Sequence, residues 1–114
     1  MSAIRWTQED YQRAINGVRA PAISERQFQA AVMKIAAQLG WTFYHTYDSI
    51  GSQAGFPDLV LAKQDQCLIF AELKTEKGKV SKEQQKWMDL LDRTGVYVYV
   101  WRPSMMEKIV EILR

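Results

Sequence analysis

Apolar residues recur along this chain in two rhythms. Phe28, Ala31, Val32, Ile35 and Leu39 return every three or four positions, the stripe of a helix with one buried face. Ser24-Glu25-Arg26-Gln27 precedes them as a capping box, with Ser24 at N-cap and Gln27 at N3. Gly40 follows where a glycine stop belongs. An earlier helix is predicted from Thr7, with Gln8, Glu9 and Asp10 in its first turn, to Asn16-Gly17. Pro21 punctuates the connection. Trp41 to Tyr47 is aromatic and β-branched and predicts a strand; residues 48–56 read as an exposed loop. DLVLA (58–62) and CLIFAELK (67–74) are two strands around the polar turn Lys63-Gln64-Asp65-Gln66, a hairpin signal. After a turn at Glu76-Lys77-Gly78-Lys79, Ser81 caps a helix running to about Arg93, with Trp87, Leu90 and Leu91 facing inward and Gly95 ending it. Residues 96–101 predict another strand. Ser104 caps a last helix carrying Met105, Ile109, Ile112 and Leu113. The order α, α, β, β, β, α, β, α predicts an α/β fold, a mixed β-sheet with helices packed on it.

Composition narrows the class. The 114 residues suit one domain over 1–114, with 1–20 as an N-terminal helical extension. With 47% hydrophobic and 25% charged residues the chain is globular. No apolar run is long enough to span a bilayer, so no membrane partner is expected. The N-terminus lacks a signal-peptide layout. Cys67 stands alone, which excludes an internal disulfide and a multi-thiolate zinc site. Together these features favour a reducing cytoplasm. A net charge of +2 does not mark a nucleic-acid binder by itself. Lys63, Lys74, Lys77, Lys79, Lys82 and Lys86 do cluster along the chain, either to meet phosphates or as a solvated face.

Three charged residues stand where an apolar strand would not put them. Glu72 and Lys74 interrupt CLIFAELK two positions apart, so both point to one face, roughly 6–7 Å apart. Asp58 opens the preceding strand, after Gly55-Phe56-Pro57. If the turn is centred near Asp65, paired residue numbers sum to about 130, and Asp58 lies across from Glu72 at roughly 5 Å. A slip of one residue would reverse the facing. Opposed carboxylates on a partly buried pair repel, and burial penalises each charge. A divalent cation offsets both effects, because hard cations take carboxylate and carbonyl oxygens. Lys74 adds positive charge where an arriving phosphate gains charge. A purely structural account stays open: edge strands carry charges that block aggregation, and Asp58 is then a turn residue. His45 reads as a packed or surface histidine, and Cys67 as a buried, inert thiol. No Walker-type phosphate loop is present.

Gly55-Phe56-Pro57-Asp58 followed by Glu72-Leu73-Lys74 resembles the PD-(D/E)XK nuclease signature. The capped helix with an early Glu25, the GxPD box, the ExK strand and the run from Gly78 to Gln84, in that order, resemble the VRR-NUC branch in its stand-alone, phage- or bacterial-type form. The resemblance runs from about Ser24 to the C-terminus. It implies a restriction-endonuclease-like core and hydrolysis of DNA phosphodiesters. It makes Asp58 and Glu72 metal ligands, with the main-chain carbonyl of Leu73 as a third oxygen and Glu25 reaching the ion directly or through water. Lys74 is then the residue that orients or activates the attacking water, and Gln84 holds that lysine or a phosphate oxygen. Mg²⁺ or Mn²⁺ suits such oxygen ligands. Lys77, Lys79 and Lys82, with Ser81 at the helix N-terminus, are the expected DNA contacts. Stand-alone relatives imply a homodimer acting on branched or four-way (Holliday) junction DNA. Without the family, Glu25 is a favourable first-turn acid and Gln84 completes a capping box with Ser81. Competing functions are a catalytically silent DNA-binding module of the same fold, a nuclease subunit of a repair or restriction complex, and an enzyme on RNA. Two carboxylates argue against the first, since they repel phosphate unless a metal is bound.

Overall fold

The computed structural model describes residues 5–18, 23–46 and 53–114, and its elements follow the predicted order. Helix α1 (Gln8–Val18) starts at a reciprocal cap: the Thr7 N–H donates to the Asp10 carboxylate at 2.7 Å and the Asp10 N–H to the Thr7 hydroxyl at 3.2 Å. The Thr7 N–H and, at 3.0 Å, the Thr7 hydroxyl both donate to the Asp10 carboxylate and hold it below the usual range. Helix α2 (Glu25–Gln38) has both bonds of the Ser24–Gln27 capping box, each 3.0 Å. It buries Phe28, Val32, Ile35 and Ala36; Ala31 and Leu39 flank that stripe and are partly buried. Gly40, at φ +88°, turns the chain away.

Strand β1 (Thr42–His45) begins one residue after Trp41, whose buried indole N–H donates to the Leu113 carbonyl at 2.7 Å. Tyr47, most of the 48–56 loop and Pro21 lie outside the described residues. Strands β2 (Leu59–Lys63) and β3 (Cys67–Leu73) form the expected hairpin in the expected register, from Leu59 opposite Ala71 to Lys63 opposite Cys67. Asp65 makes this tight turn with φ +62°, a conformation Asp tolerates better than most residues. β1 pairs antiparallel with β2, and β4 (Tyr97–Trp101) pairs parallel with β3, giving the sheet order β1-β2-β3-β4.

The sheet has two unlike faces. Leu59, Leu61, Ile69, Ala71 and Leu73 share one core cluster with α1, α2 and α4 (Met106–Leu113). The opposite parity carries Val60, Phe70 and Glu72. There Phe56 packs edge-on against Phe70 and Trp87, with ring centroids 5.9 and 5.1 Å apart. Trp87 belongs to α3 (Lys82–Arg93), whose inward stripe is Gln84, Trp87, Met88 and Leu91. Leu90, expected to face inward, is 56% exposed because it falls off that narrow stripe. The last helix also differs from expectation. Pro103–Met105 forms a 3₁₀ turn, which delays α4 and rotates its buried face onto Met106, Ile109, Val110 and Leu113. Ser104 caps nothing with its side chain; its N–H donates to the Glu76 carboxylate at 2.7 Å.

The Asp65 turn fixes the register on which Asp58 and Glu72 depend. Asp65→Val, which puts a β-branched residue at positive φ, is expected to destabilise the fold by about 1–2 kcal/mol. Asp65→Gly is expected to be neutral or stabilising; urea unfolding of both variants checks this.

Candidate active site at the ends of β2 and β3

Pro57 and Asp58 lead directly into β2, and two clamps fix them there. The Thr46 N–H donates to the Asp58 carbonyl at 2.8 Å, and the Thr46 hydroxyl donates to the Pro57 carbonyl at 2.8 Å. Continuing the β2–β3 register by one pair sets Asp58 across from Glu72. The Asp58 carboxylate accepts the Leu73 N–H at 2.8 Å, so strand pairing gives way to a side chain where the site begins.

Glu72 is 2% exposed, the one charged residue among the described residues buried so deeply. Its Oε2 accepts the Gln84 side-chain amide at 2.7 Å and lies 3.6 Å from the Lys74 ammonium. Its Oε1 is buried with no hydrogen-bond partner. Burial first, then repulsion from Asp58, pushes the Glu72 carboxyl up to about 8, and Lys74 only partly opposes this. A buried carboxylate with an unpartnered oxygen beside a second carboxylate is a set of oxygen donors that suits a hard divalent cation.

Gln84 does two things at once. Its Oε1 accepts the Ser81 N–H at 2.8 Å, completing the cap of α3, while its amide nitrogen donates to Glu72. Gln84 therefore bonds the glutamate, where the resemblance implies a bond to the lysine or to a phosphate oxygen. Gln85 turns away and bonds Asp89. Gly55 makes this approach possible. It sits at φ +95°, and a Cβ there would lie 2.4 Å from the backbone carbonyl carbon of Glu83. The loop entering Asp58 thus touches the first turn of α3 backbone to backbone.

These side chains line a cleft of about 450 Å³ with Glu25, Arg26, Gln29, His45 and Thr46 on its other wall. Glu25, at the first turn of α2, lines the cleft without joining Asp58 and Glu72 in a group of three acidic, histidine or cysteine residues among the described residues. Arg26, Gln29, His45 and Thr46 were not singled out as site residues in the sequence. The available signal was helical spacing, since Gln29 shares a face with both Glu25 and Arg26. A larger cavity of about 840 Å³ lies between α1 and α2 and gathers no comparable chemistry.

Lys77, Lys79, Lys82 and Ser81 are exposed around the β3–α3 turn. Arg102 holds that turn by donating to the carbonyls of Thr75, Glu76 and Gly78 at 2.6, 3.2 and 2.7 Å. Lys63 leaves the lysine cluster: its ammonium donates to the Leu39 carbonyl at the end of α2. It lies at the far end of β2 from Asp58, roughly 16 Å along the strand.

The VRR-NUC domain family matches residues 2–105. The chain belongs to the VRR-NUC family. The match takes in residues 2–20, ahead of the segment from Ser24 that carries the resemblance in sequence. Two solved structures share the fold. One, a VRR_NUC domain, is 22% identical with TM-score 0.66 and covers 76% of this chain and 94% of its own. The other, a VRR_NUC domain protein, is 16% identical with TM-score 0.65 and covers 82% of this chain and 88% of its own. Comparison with curated proteins finds no match. The mixed four-stranded sheet with flanking helices is accordingly a restriction-endonuclease-like core, and VRR-NUC membership points to a nuclease in general terms.

Two outcomes test this geometry. Because folding raises the Glu72 pKa from 4.5 to about 8, the folded state binds the proton more tightly than the unfolded chain does. Metal-free protein should therefore lose stability as pH rises from about 5 to about 8. Thermal melts of Glu72→Gln should show a flatter slope, and Mg²⁺ or Mn²⁺ at pH 8 should raise the melting temperature of the wild type only. Gly55→Ala is expected to destabilise by about 1–3 kcal/mol. Gly17→Ala, in open space on α1, should instead stabilise by about 0.5–1 kcal/mol in the same denaturant series.

Proposed function

We propose that this VRR-NUC protein is a divalent-metal-dependent endonuclease hydrolysing DNA phosphodiester bonds, with Asp58, Glu72, Lys74 and Gln84 as its catalytic group. The observation that carries this reading is the buried Glu72 carboxylate, unpartnered at Oε1 and set beside Asp58. Asp58, Glu72 and the main-chain carbonyl of Leu73 would hold Mg²⁺ or Mn²⁺, with Glu25 contributing through water from the opposite wall. Such an ion, when bound, supplies Lewis acidity and neutralises phosphate charge.

The residues of the chain do the rest. Gln84 fixes one oxygen of Glu72 and leaves the buried Oε1 without a hydrogen bond. Lys74, 13% exposed and paired with Glu72, orients the attacking water and stabilises charge on the phosphate oxygens as the water–phosphorus bond forms and the leaving-group bond breaks. Ser81, Lys77, Lys79 and Lys82 grip the DNA backbone beside the N-terminus of α3. We take 1–114 as one nuclease unit, because α1 shares the core with α2 and α4. A homodimer acting on branched DNA is the working assembly, since a single body with a radius of gyration of 14.4 Å offers little surface to embrace a junction. No described helix is long and apolar enough to cross a membrane.

Linear, nicked, flapped and four-way DNA incubated with Mg²⁺, Mn²⁺ or EDTA tests the reading. Asp58→Ala and Lys74→Ala should each lower cleavage by at least about 100-fold, and EDTA should abolish it. Cleavage that survives EDTA, or that Asp58→Ala leaves at the wild-type rate, rejects the metal mechanism. Intact substrates with retained binding would identify a silent binding module, and light scattering decides between monomer and dimer.

A further inference from the structure

The cleft has a second wall that the catalytic group leaves unused. Glu25, Arg26 and Gln29 all belong to the first two turns of α2. Gln29 lies three residues after Arg26 and four after Glu25, so the three share one helical face, and that face lines the cleft. Gln29 reaches across to β1, where its Nε2 lies 2.6 Å from the His45 Nε2. His45 is paired with Leu59, next to Asp58, and Thr46 is bolted to the Pro57 and Asp58 carbonyls. The wall is therefore held at a fixed distance from the carboxylates.

Charge gives this wall a purpose. The cleft is lined by three carboxylates, Glu25, Asp58 and Glu72, against two permanent cations, Lys74 and Arg26. Lys74 is paired with Glu72. Among the described residues nothing pairs with the Arg26 guanidinium, although Glu25 is its neighbour in sequence. A guanidinium repels a metal ion, so its place in this cleft is not explained by cation binding. Its five fork-like N–H donors match a phosphate diester, which offers two non-bridging oxygens. The Gln29–His45 bond holds the Gln29 amide beside it, and an amide that donates one N–H to the ring keeps a second for the same anion.

We propose that Arg26, with the Gln29–His45 pair, forms a phosphate subsite that binds the nucleic-acid backbone next to the scissile position, on the wall opposite Lys74 and α3. Arg26 supplies the charge; Gln29 supplies a polar group that His45 positions. The subsite rests on the nuclease reading above, but it concerns strand binding and not the chemical step.

Binding of a fluorescent DNA duplex and of a four-way junction, measured by anisotropy in EDTA across a salt series, separates the two. Arg26→Ala should weaken binding about 10-fold and reduce the slope of log K against log salt by about 0.9, the loss of one phosphate contact. Arg26→Lys should keep the slope and recover only part of the affinity, because it keeps the charge and loses the fork. His45→Ala should weaken binding at an unchanged slope. In cleavage assays with Mg²⁺, Arg26→Ala should raise KM far more than it lowers kcat. Wild-type affinity and slope in Arg26→Ala would overturn the subsite and leave the nuclease reading intact. No DNA binding by the wild type, in EDTA and equally with Ca²⁺ to neutralise the carboxylates, would overturn both. Unchanged thermal melts for Arg26→Ala, whose side chain is exposed, guard against misfolding as the cause.

Discussion

A carboxylate buried in the middle of a sheet is the constraint around which this protein is organised. Glu72 stands on the strand that pairs with both β2 and β4, so it cannot move to solvent without breaking the sheet. Its charge costs free energy there, and Asp58 across the strand raises that cost. Gln84 and Lys74 partly offset it at one oxygen. The structure thus holds a site that is least comfortable when empty of positive charge and ionised. Affinity for a cation and native-state stability are opposite readings of the same desolvation.

Everything near Glu72 serves to fix its neighbours. The Asp65 turn sets the hairpin register; Thr46 ties the Pro57-Asp58 carbonyls to β1; Gly55 brings the loop against α3 with no side chain between them. Arg102, from β4's exit, holds the lysine-bearing turn through three carbonyls. Phe56 fills the space between Phe70 and Trp87, so the same box that delivers Asp58 also packs α3 onto the sheet. These are short-range devices, and each acts on backbone position more than on charge.

Much of this was legible in the sequence because it is local. Capping boxes at Ser24 and Ser81, glycine stops at Gly40 and Gly95, and the hairpin turn at Asp65 depend on residues within a few positions of each other. The triad was legible because Glu72 and Lys74 violate the apolar pattern of their own strand. What stayed hidden depends on contacts across the chain. That Gln84 bonds Glu72 requires knowing how α3 lies on the sheet. That Lys63 caps α2, or that Arg102 reaches Thr75, requires knowing which strand ends are neighbours. Leu90 and Ser104 depart from the sequence pattern for a related reason: a helix's buried stripe and starting point are set by its docking, not by its own residues alone. Arg26, Gln29 and His45 carried no violation of local pattern, so only their convergence on one cleft brings them out.

The double role of Gln84 ties two kinds of motion together. Helix ends fray, and the first turn of a surface helix normally opens on its own without consequence elsewhere. Here the amide that closes the cap of α3 is the amide that grips Glu72. When that turn breathes open, the buried carboxylate loses a hydrogen-bond donor at the same instant. A bound cation would steady the carboxylate and, through it, the helix end. Local opening of α3 and readiness of the site then become one equilibrium, and occupancy of the cleft would be felt as slower amide hydrogen exchange in a helix that need not touch the ion.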